Sequence, residues 1–305
     1  MAKERSRINR EYKDRLFKLI FKEKKDLLEL YNAVNNTSYS NPEEVEINSI
    51  EDAIYMGMKN DISFLVKNVL NLYEHQSTFS PNLPLRGLLY FADLYRKIIG
   101  SGKDLYSSKR ISLPYPSFIV FYNGTKKEPE RQILELHGAF PEGFAQQDAA
   151  LQCRALVLNI NLGCNQALME KCHRLKEYAQ FISKVRKFLD AGEAIQDAVN
   201  LAVDSCIVKN ILADILKNHR EEVCSMLLYE YDEQAHIENE REIAREEGGT
   251  LKLIAQIGRK YQKGKSLTQI AEDLEENESD IEELYHLIEN HPGKQPKDIL
   301  SMLDS

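Results

Sequence analysis

The chain has 305 residues, 43% of them hydrophobic, and a formal net charge of −8 at pH 7, enough to bury one large core, or a core domain with an appendage, without staples. No apolar run reaches the roughly 18 residues of a membrane span, and Met1 to Arg10 is charged with no apolar stretch behind it, so no membrane partner is expected and the cytoplasm is the expected compartment. Cys153, Cys164, Cys172, Cys206 and Cys224 are widely spaced, odd in number and form no C-x-x-C pair, which argues against a disulfide framework or a zinc knuckle.

The net charge hides two opposite regions. Residues 1–220 hold 31 Lys and Arg against 27 Asp and Glu, whereas residues 221–305 hold 9 against 21. A mildly basic body thus carries a strongly acidic tail. The basic residues between Lys3 and Lys25 suit either phosphates or a solvated helix face, and the solvated face is the simpler reading.

From Asn9 to about Asn36, apolar residues at Tyr12, Leu16, Leu19, Ile20, Leu27, Leu28, Leu30 and Tyr31 approximate helical spacing and predict a first helix. After a polar loop, Ile54 to Val66 and Val69 to Tyr73 read as strands, the second passing through Glu74 to Ser77. Pro84 suits the start of an amphipathic helix running from Leu85 to Ile99 and ending at Gly100. Pro116 to Tyr122 (PSFIVFY), stopped by Asn123-Gly124, reads as a buried strand, and Ala155 to Ile160 as another. Beyond Gly163 a stripe of Leu168, Cys172, Leu175, Ala179, Ile182, Val185 and Leu189 predicts a long amphipathic helix, with helices from about 165 to 230 covering the sheet. That long helix permits a homodimer, although a satisfied core explains it equally well.

The charge-rich stretch from Asp232 to Gly249 is the best boundary in the chain. It suggests a body over 1–230, a charged helical connector over 231–250 and a small acidic helical unit over 251–305. In that unit Ser266-Leu-Thr-Gln269 and Ser279-Asp-Ile-Glu282 both match a capping box, and with Leu251 to Tyr261 they predict three helices in helix-turn-helix order. A recognition helix reading SDIEELYHLIEN would turn Asp280, Glu282 and Glu283 toward phosphates, so protein contact or packing is favoured over DNA reading.

The chemistry lies earlier. Asp61 sits in Lys59-Asn60-Asp61-Ile62-Ser63-Phe64, and Glu74-His75-Gln76 closes the next apolar run. If the two runs pair as a hairpin, both carboxylates reach one point, which suits a hard divalent cation. Strand alternation puts Glu74 and Gln76 on one face and the His75 side chain on the other, leaving the His75 main-chain carbonyl as a further oxygen ligand. A metal there would activate a water and neutralise charge on a scissile phosphate. Spacing alone carries little weight, because solvated or ion-paired acids at this separation are common. H-E-x-x-H, P-loop, G-x-G-x-x-G and G-x-S-x-G motifs are absent, and His75, His137 and His173 have no partner at metal-ligand spacing.

The strings FKLIF (Phe17 to Phe21), KNDISF (Lys59 to Phe64), YEHQST (Tyr73 to Thr78), PNLPLR (Pro81 to Arg86), FIVFYNG (Phe118 to Gly124) and NINLG (Asn159 to Gly163) resemble, in this order, the blocks of the Rpn recombination-promoting nucleases. These YhgA-like proteins are also described as transposases. The resemblance covers about residues 10 to 230. It implies an α/β, restriction-endonuclease-like PD-(D/E)XK core of α-β-β-β-α-β order, here with added helices and the small C-terminal helical unit.

By the same resemblance Asp61 and Glu74 are catalytic metal ligands for Mg²⁺ or Mn²⁺, and Gln76 holds the place usually taken by Lys. Gln can orient a water or a phosphate oxygen but brings no positive charge. Asp14 is an additional acid on the first helix, with a surface acid the equal alternative. Arg86 and Tyr90, one turn apart, either hold a phosphate or anchor their helix. The expected function is DNA endonuclease activity that promotes recombination or mobile-element movement. The alternatives are a catalytically weak or inactive DNA-binding regulator on the same fold, and a helical interaction protein acting through residues 165–305.

Overall fold

The computed structural model describes residues 15–48, 62–100, 105–143 and 149–303. The chain divides into two compact units, Met1–Tyr231 and Asp232–Ser305. The first is mixed α/β, built on a six-stranded sheet ordered β1-β2-β3-β4-β6-β5. Its strands are β1 (Val45–Asn48), β2 (Ile62–Val66), β3 (Val69–Gln76), β4 (Tyr115–Tyr122), β5 (Arg131–Glu135) and β6 (Arg154–Asn159).

β1, β2 and β3 form an antiparallel meander. Lys67 and Asn68 turn the chain between β2 and β3 with φ of 45° and 65°, as a two-residue turn needs when both central positions are left-handed. Helix α3 (Leu83–Ile99) then carries the chain to β4, which runs parallel to β3. β6 is parallel to β4, and β5 closes the far edge antiparallel to β6.

Alternation along the strands divides the core in two. One face of the sheet contributes Ile62, Phe64, Val66, Tyr73, Ile119, Phe121 and Leu158 to a cluster with the helices α1 (Arg15–Ile20), α2 (Lys24–Asn35), α4 (Gln166–Lys171), α5 (His173–Asp190), α6 (Ile195–Val208) and α7 (Ala213–Asn218) and with the first turns of α8 (Arg220–Tyr261). The other face contributes Leu70, Leu72, Phe118, Val120, Tyr122, Ala155 and Val157, and α3 covers it with Leu83, Tyr90, Phe91 and Leu94.

Helix α3 approaches β4 closely at Gly87, where an added methyl would meet the Phe118 ring at 2.5 Å. Gly87→Ala should therefore lose about 1–3 kcal/mol, the usual cost of overpacking, in urea denaturation. A neutral or stabilising result would mean that Phe118 yields freely.

The single helix expected over Asn9 to Asn36 is two helices over its described part. Residues 21–23 interrupt it, because Glu23 has extended backbone (φ −78°, ψ 135°), yet the apolar stripe continues through buried Phe21. The long helix expected after Gly163 is likewise broken at Cys172 (φ −126°, ψ 100°), between α4 and α5. Of the strand expected from Ile54 to Val66, only Ile62 onward lies within the described residues.

In the second unit the end of α8 joins α9 (Leu267–Leu274), α10 (Glu278–Asn290) and α11 (Pro296–Leu303) around Ile254, Ile257, Ile270, Ala271, Ile281, Leu284, Ile288 and Ile299. The segment expected as a charged helical connector, residues 231–250, lies within α8. The Ser266–Gln269 capping box is formed with both of its reciprocal bonds. The box expected at Ser279 is not: α10 begins earlier, at Glu278 after Asn277, and has no side-chain cap bond.

Near the end of α9, Asp273 accepts from Lys260 at 2.8 Å and from Lys265. These two ammonium groups hold its carboxyl below the ordinary 3.8, at about 2. A carboxyl depressed on folding contributes stability above its unfolded value and loses it as pH falls through the folded one. The contribution of Asp273 should thus be complete above about pH 4 and disappear toward pH 2. A carbon-13 titration of its side chain should show a midpoint near 2 at low salt; a midpoint at 3.8 would show that the lysines are not engaged in solution.

Candidate active site

The last residues of β3 and the first turns of α3 build one polar cluster. Alternation along β3 directs Glu74 to the α3 face, as it does Leu70 and Leu72. The Glu74 side chain is completely buried, and Arg86 of α3 forms an ion pair with its Oε1. Gln76 Nε2 donates to the same oxygen. Arg86 also donates from Nε and Nη2 to Tyr90 Oη, at 3.3 and 3.2 Å, with its guanidinium 5.8 Å from the Tyr90 ring centre. Pro84 in the first turn of α3 has φ preset for a helix start, and at 3.6 residues per turn the i,i+4 pair Arg86 and Tyr90 falls on one face. A buried carboxylate is costly unless it is paired and hydrogen-bonded. Arg86 supplies the cation of the pair.

His75 serves the opposite face. It is buried, with Nε2 2.8 Å from Tyr178 Oη and its ring stacked on Phe17 at 5.3 Å, so it ties β3 to α1 and α5.

A second polar network, not anticipated from the sequence, closes the carboxyl ends of the parallel strands. Asn123 N–H donates to Gln76 O at 2.9 Å and Ile160 N–H to Tyr122 O at 2.8 Å. Behind them Arg186 of α5 donates to Asn161 Oδ1 at 2.6 Å and to both the carbonyl and the side-chain oxygen of Asn123, at 2.5 and 2.7 Å. Asn161 Nδ2 continues the chain to Gly124 O at 3.0 Å. A side chain at Gly124 would collide with Tyr122 and with the Ser77 carbonyl, so Asn123-Gly124 is a close approach of three segments. Arg186 makes the loops after β4 and β6 one rigid rim beside the end of β3. The only signal for it was one of three neighbouring cations, Lys184, Arg186 and Lys187, within an amphipathic helix, a pattern too common to single out.

Glu74, Gln76, Arg86 and Tyr90 are therefore brought together, whereas the His75 side chain is turned away. Asp61 and Asp14 lie outside the described residues. The register pairs Ile62, the neighbour of Asp61, with Tyr73, the neighbour of Glu74.

The oxygen ligands that the described residues bring to the cluster are the Glu74 carboxylate and the Gln76 amide, beside the Arg86 guanidinium. That set fits a hard cation such as Mg²⁺ or Mn²⁺, which takes one or two carboxylates and completes its shell with water. Among the described residues no group of three or more His, Cys, Asp or Glu could hold a metal, and the described part of the cluster supplies one carboxylate, Glu74. Thiolate ligation has no support. The five cysteines are free, and burial pushes Cys172 up to about 12 and Cys206 up to about 11.

No described helix is long and apolar enough to cross a membrane. Comparison of the chain with protein-family models, with curated proteins and with solved structures gave no match.

Proposed function

We propose that the chain is a metal-dependent DNA endonuclease of PD-(D/E)XK type. One observation carries the reading: a fully buried carboxylate, Glu74, ends a central strand beside Gln76, and the strand paired with it begins one residue after Asp61. Burying an acid is costly, and a site that keeps one near a strand end, already paired with the Arg86 cation, suits a cation-binding role. The order α2-β1-β2-β3-α3-β4, with β1 to β3 antiparallel and β4 parallel to β3, agrees with the α-β-β-β-α-β order implied by the resemblance to the Rpn nucleases.

In this reading Asp61 and Glu74 hold Mg²⁺ or Mn²⁺, with the His75 main-chain carbonyl as a further oxygen ligand. The bound metal supplies Lewis acidity and lowers the pKa of a coordinated water. Gln76 orients the attacking water through its amide. Arg86 neutralises charge on the non-bridging phosphate oxygens, the role that a Lys would otherwise fill. Tyr90 fixes the Arg86 guanidinium, and the Arg186 rim fixes the loops beside the strand ends.

The second reading, a DNA-binding regulator without turnover, is favoured by the ion pair that Arg86 already makes with Glu74. Incubation of a labelled duplex with the protein separates the two. The nuclease yields cut strands in Mg²⁺ and a stable complex in Ca²⁺; the regulator yields the complex in both.

A further inference from the structure

We infer that the outer edge of β5 is a self-association surface, on which a second copy of this chain pairs antiparallel about a two-fold axis at Ile133. The inference is independent of the nuclease reading. β5 ends the sheet, and among the described residues no strand pairs with its outer side.

The ladder to β6 fixes what that side offers. Asn159 N–H donates to Glu130 O and Leu136 N–H to Cys153 O, each at 2.9 Å, and opposed residues of an antiparallel pair alternate between bonded and non-bonded. Gln132 and Leu134 therefore bond to β6, and the N–H and C=O of Arg131 and Ile133 point outward. Leu134 packs with the α3 cluster, so the side chains of Arg131, Ile133 and Glu135 share the opposite face. Ile133, at their centre, is 53% exposed.

Charge complementarity selects a second copy as the occupant. An antiparallel copy that uses the outward groups must oppose odd-numbered residues to odd-numbered ones. Centring the pairing on Ile133 sets the two Ile133 side chains against each other and Arg131 against Glu135 of the second copy, twice over. Opposite charges in such pairs stabilise and like charges destabilise. Centring on Arg131 or on Glu135 opposes like charges, and the registers between set a charge against Ile133. Arg131 is exposed and makes no ion pair among the described residues. Glu135 keeps its pair with Arg154 of β6, so in the dimer its carboxylate lies between cations from both neighbouring strands. Edge strands are commonly guarded by charge, proline or a bulge. β5 has neither proline nor bulge, and its two charges complement those of a copy. The resulting interface is isologous, as a two-fold dimer requires, and its small size makes dimerisation depend on concentration.

The test is sedimentation velocity over a range of concentrations for the full chain, Ile133→Pro, Arg131→Glu, Glu135→Lys and an equimolar mixture of the last two. Wild type should show a monomer–dimer equilibrium, and Ile133→Pro should lose it. Proline there removes an outward N–H and leaves the β6 ladder intact, a placement that edge strands tolerate, so circular dichroism should be unchanged. Arg131→Glu and Glu135→Lys should each dimerise at least about tenfold more weakly, about 1.4 kcal/mol. Their mixture should recover the dimer, because every opposed pair in it is again of opposite charge. A folded wild type that stays monomeric throughout, or a dimer that survives both Ile133→Pro and Arg131→Glu, overturns the proposal. A mixture no more associated than its components does so as well. Should Glu135→Lys fail to fold beside Arg154, the other two variants still decide the matter.

Discussion

Glu74→Gln is expected to lower the rate of metal-dependent DNA cleavage by about three orders of magnitude while leaving the chain folded. Charge stabilisation by a catalytic metal is worth several kcal/mol, and each 1.36 kcal/mol is about tenfold in rate. Losing one of two carboxylate ligands removes most of it. The substitution keeps shape and hydrogen-bonding capacity in a fully buried position and removes a charge that is expensive to bury, so circular dichroism and the urea midpoint should change little. Asp61→Asn should reproduce the kinetic loss. DNA affinity measured in Ca²⁺ should fall far less than the rate, because in protein–DNA complexes phosphate contacts supply a large share of binding and the substitution removes none from the proposed phosphate ligand Arg86. A Glu74→Gln protein that still cuts at close to the wild-type rate would remove Glu74 from the chemistry.

The same ion pair predicts an unequal response to removal of its two partners. Arg86→Met should destabilise the metal-free chain by about 3 kcal/mol, the cost of stranding one member of a buried pair. Glu74→Gln should cost less than about 1 kcal/mol, since the arginine left behind is one-third exposed and can be hydrated. Urea denaturation of both variants in EDTA measures the difference directly. Equal losses would mean that Glu74 finds other compensation, and a loss from Glu74→Gln alone would reverse the argument.

How much of this was legible in the sequence depended on whether a feature was local. Strands β3, β4 and β6 announce themselves, because buried central strands read as apolar runs. Both edge strands were missed. β1 lies in the acidic stretch PEEVEIN, and β5 reads RQILE with no residue of its five fully buried; half-exposed edges need little apolar content and give little signal. The β2–β3 turn was also silent, since Lys67-Asn68 adopts a conformation more often signalled by Asn-Gly.

The helix breaks at Glu23 and Cys172 were hidden for another reason. The apolar stripe continues across both, from Phe21 to Leu27 and from Leu168 through Cys172 to Leu175, because the segments on either side pack on the same core. Periodicity reports which face is buried and not whether the backbone is continuous. At Ser279 a capping pattern lost to a start at Glu278, where Asn277 flanks the helix and its amide bonds Asp280 at 2.8 Å.

At the candidate site the same division holds. Alternation along β3 was sufficient to put Glu74 and Gln76 together and to turn His75 away, and helical spacing was sufficient to align Arg86 with Tyr90. The ion pair from Arg86 to Glu74 depends on where α3 lands on the sheet, which no local pattern specifies. The Arg186 rim joins residues 25 and 63 positions apart and was invisible for the same reason.

The central claim is tested most directly by incubating supercoiled plasmid with the purified full chain in Mg²⁺, Mn²⁺, Ca²⁺ or EDTA and measuring the appearance of nicked and linear DNA. The account predicts cleavage in Mg²⁺ or Mn²⁺ and none in EDTA, with Ca²⁺ supporting binding but little or no turnover. Cleavage that persists in EDTA, or no cleavage in any of these metals by a chain shown to bind DNA, would contradict it.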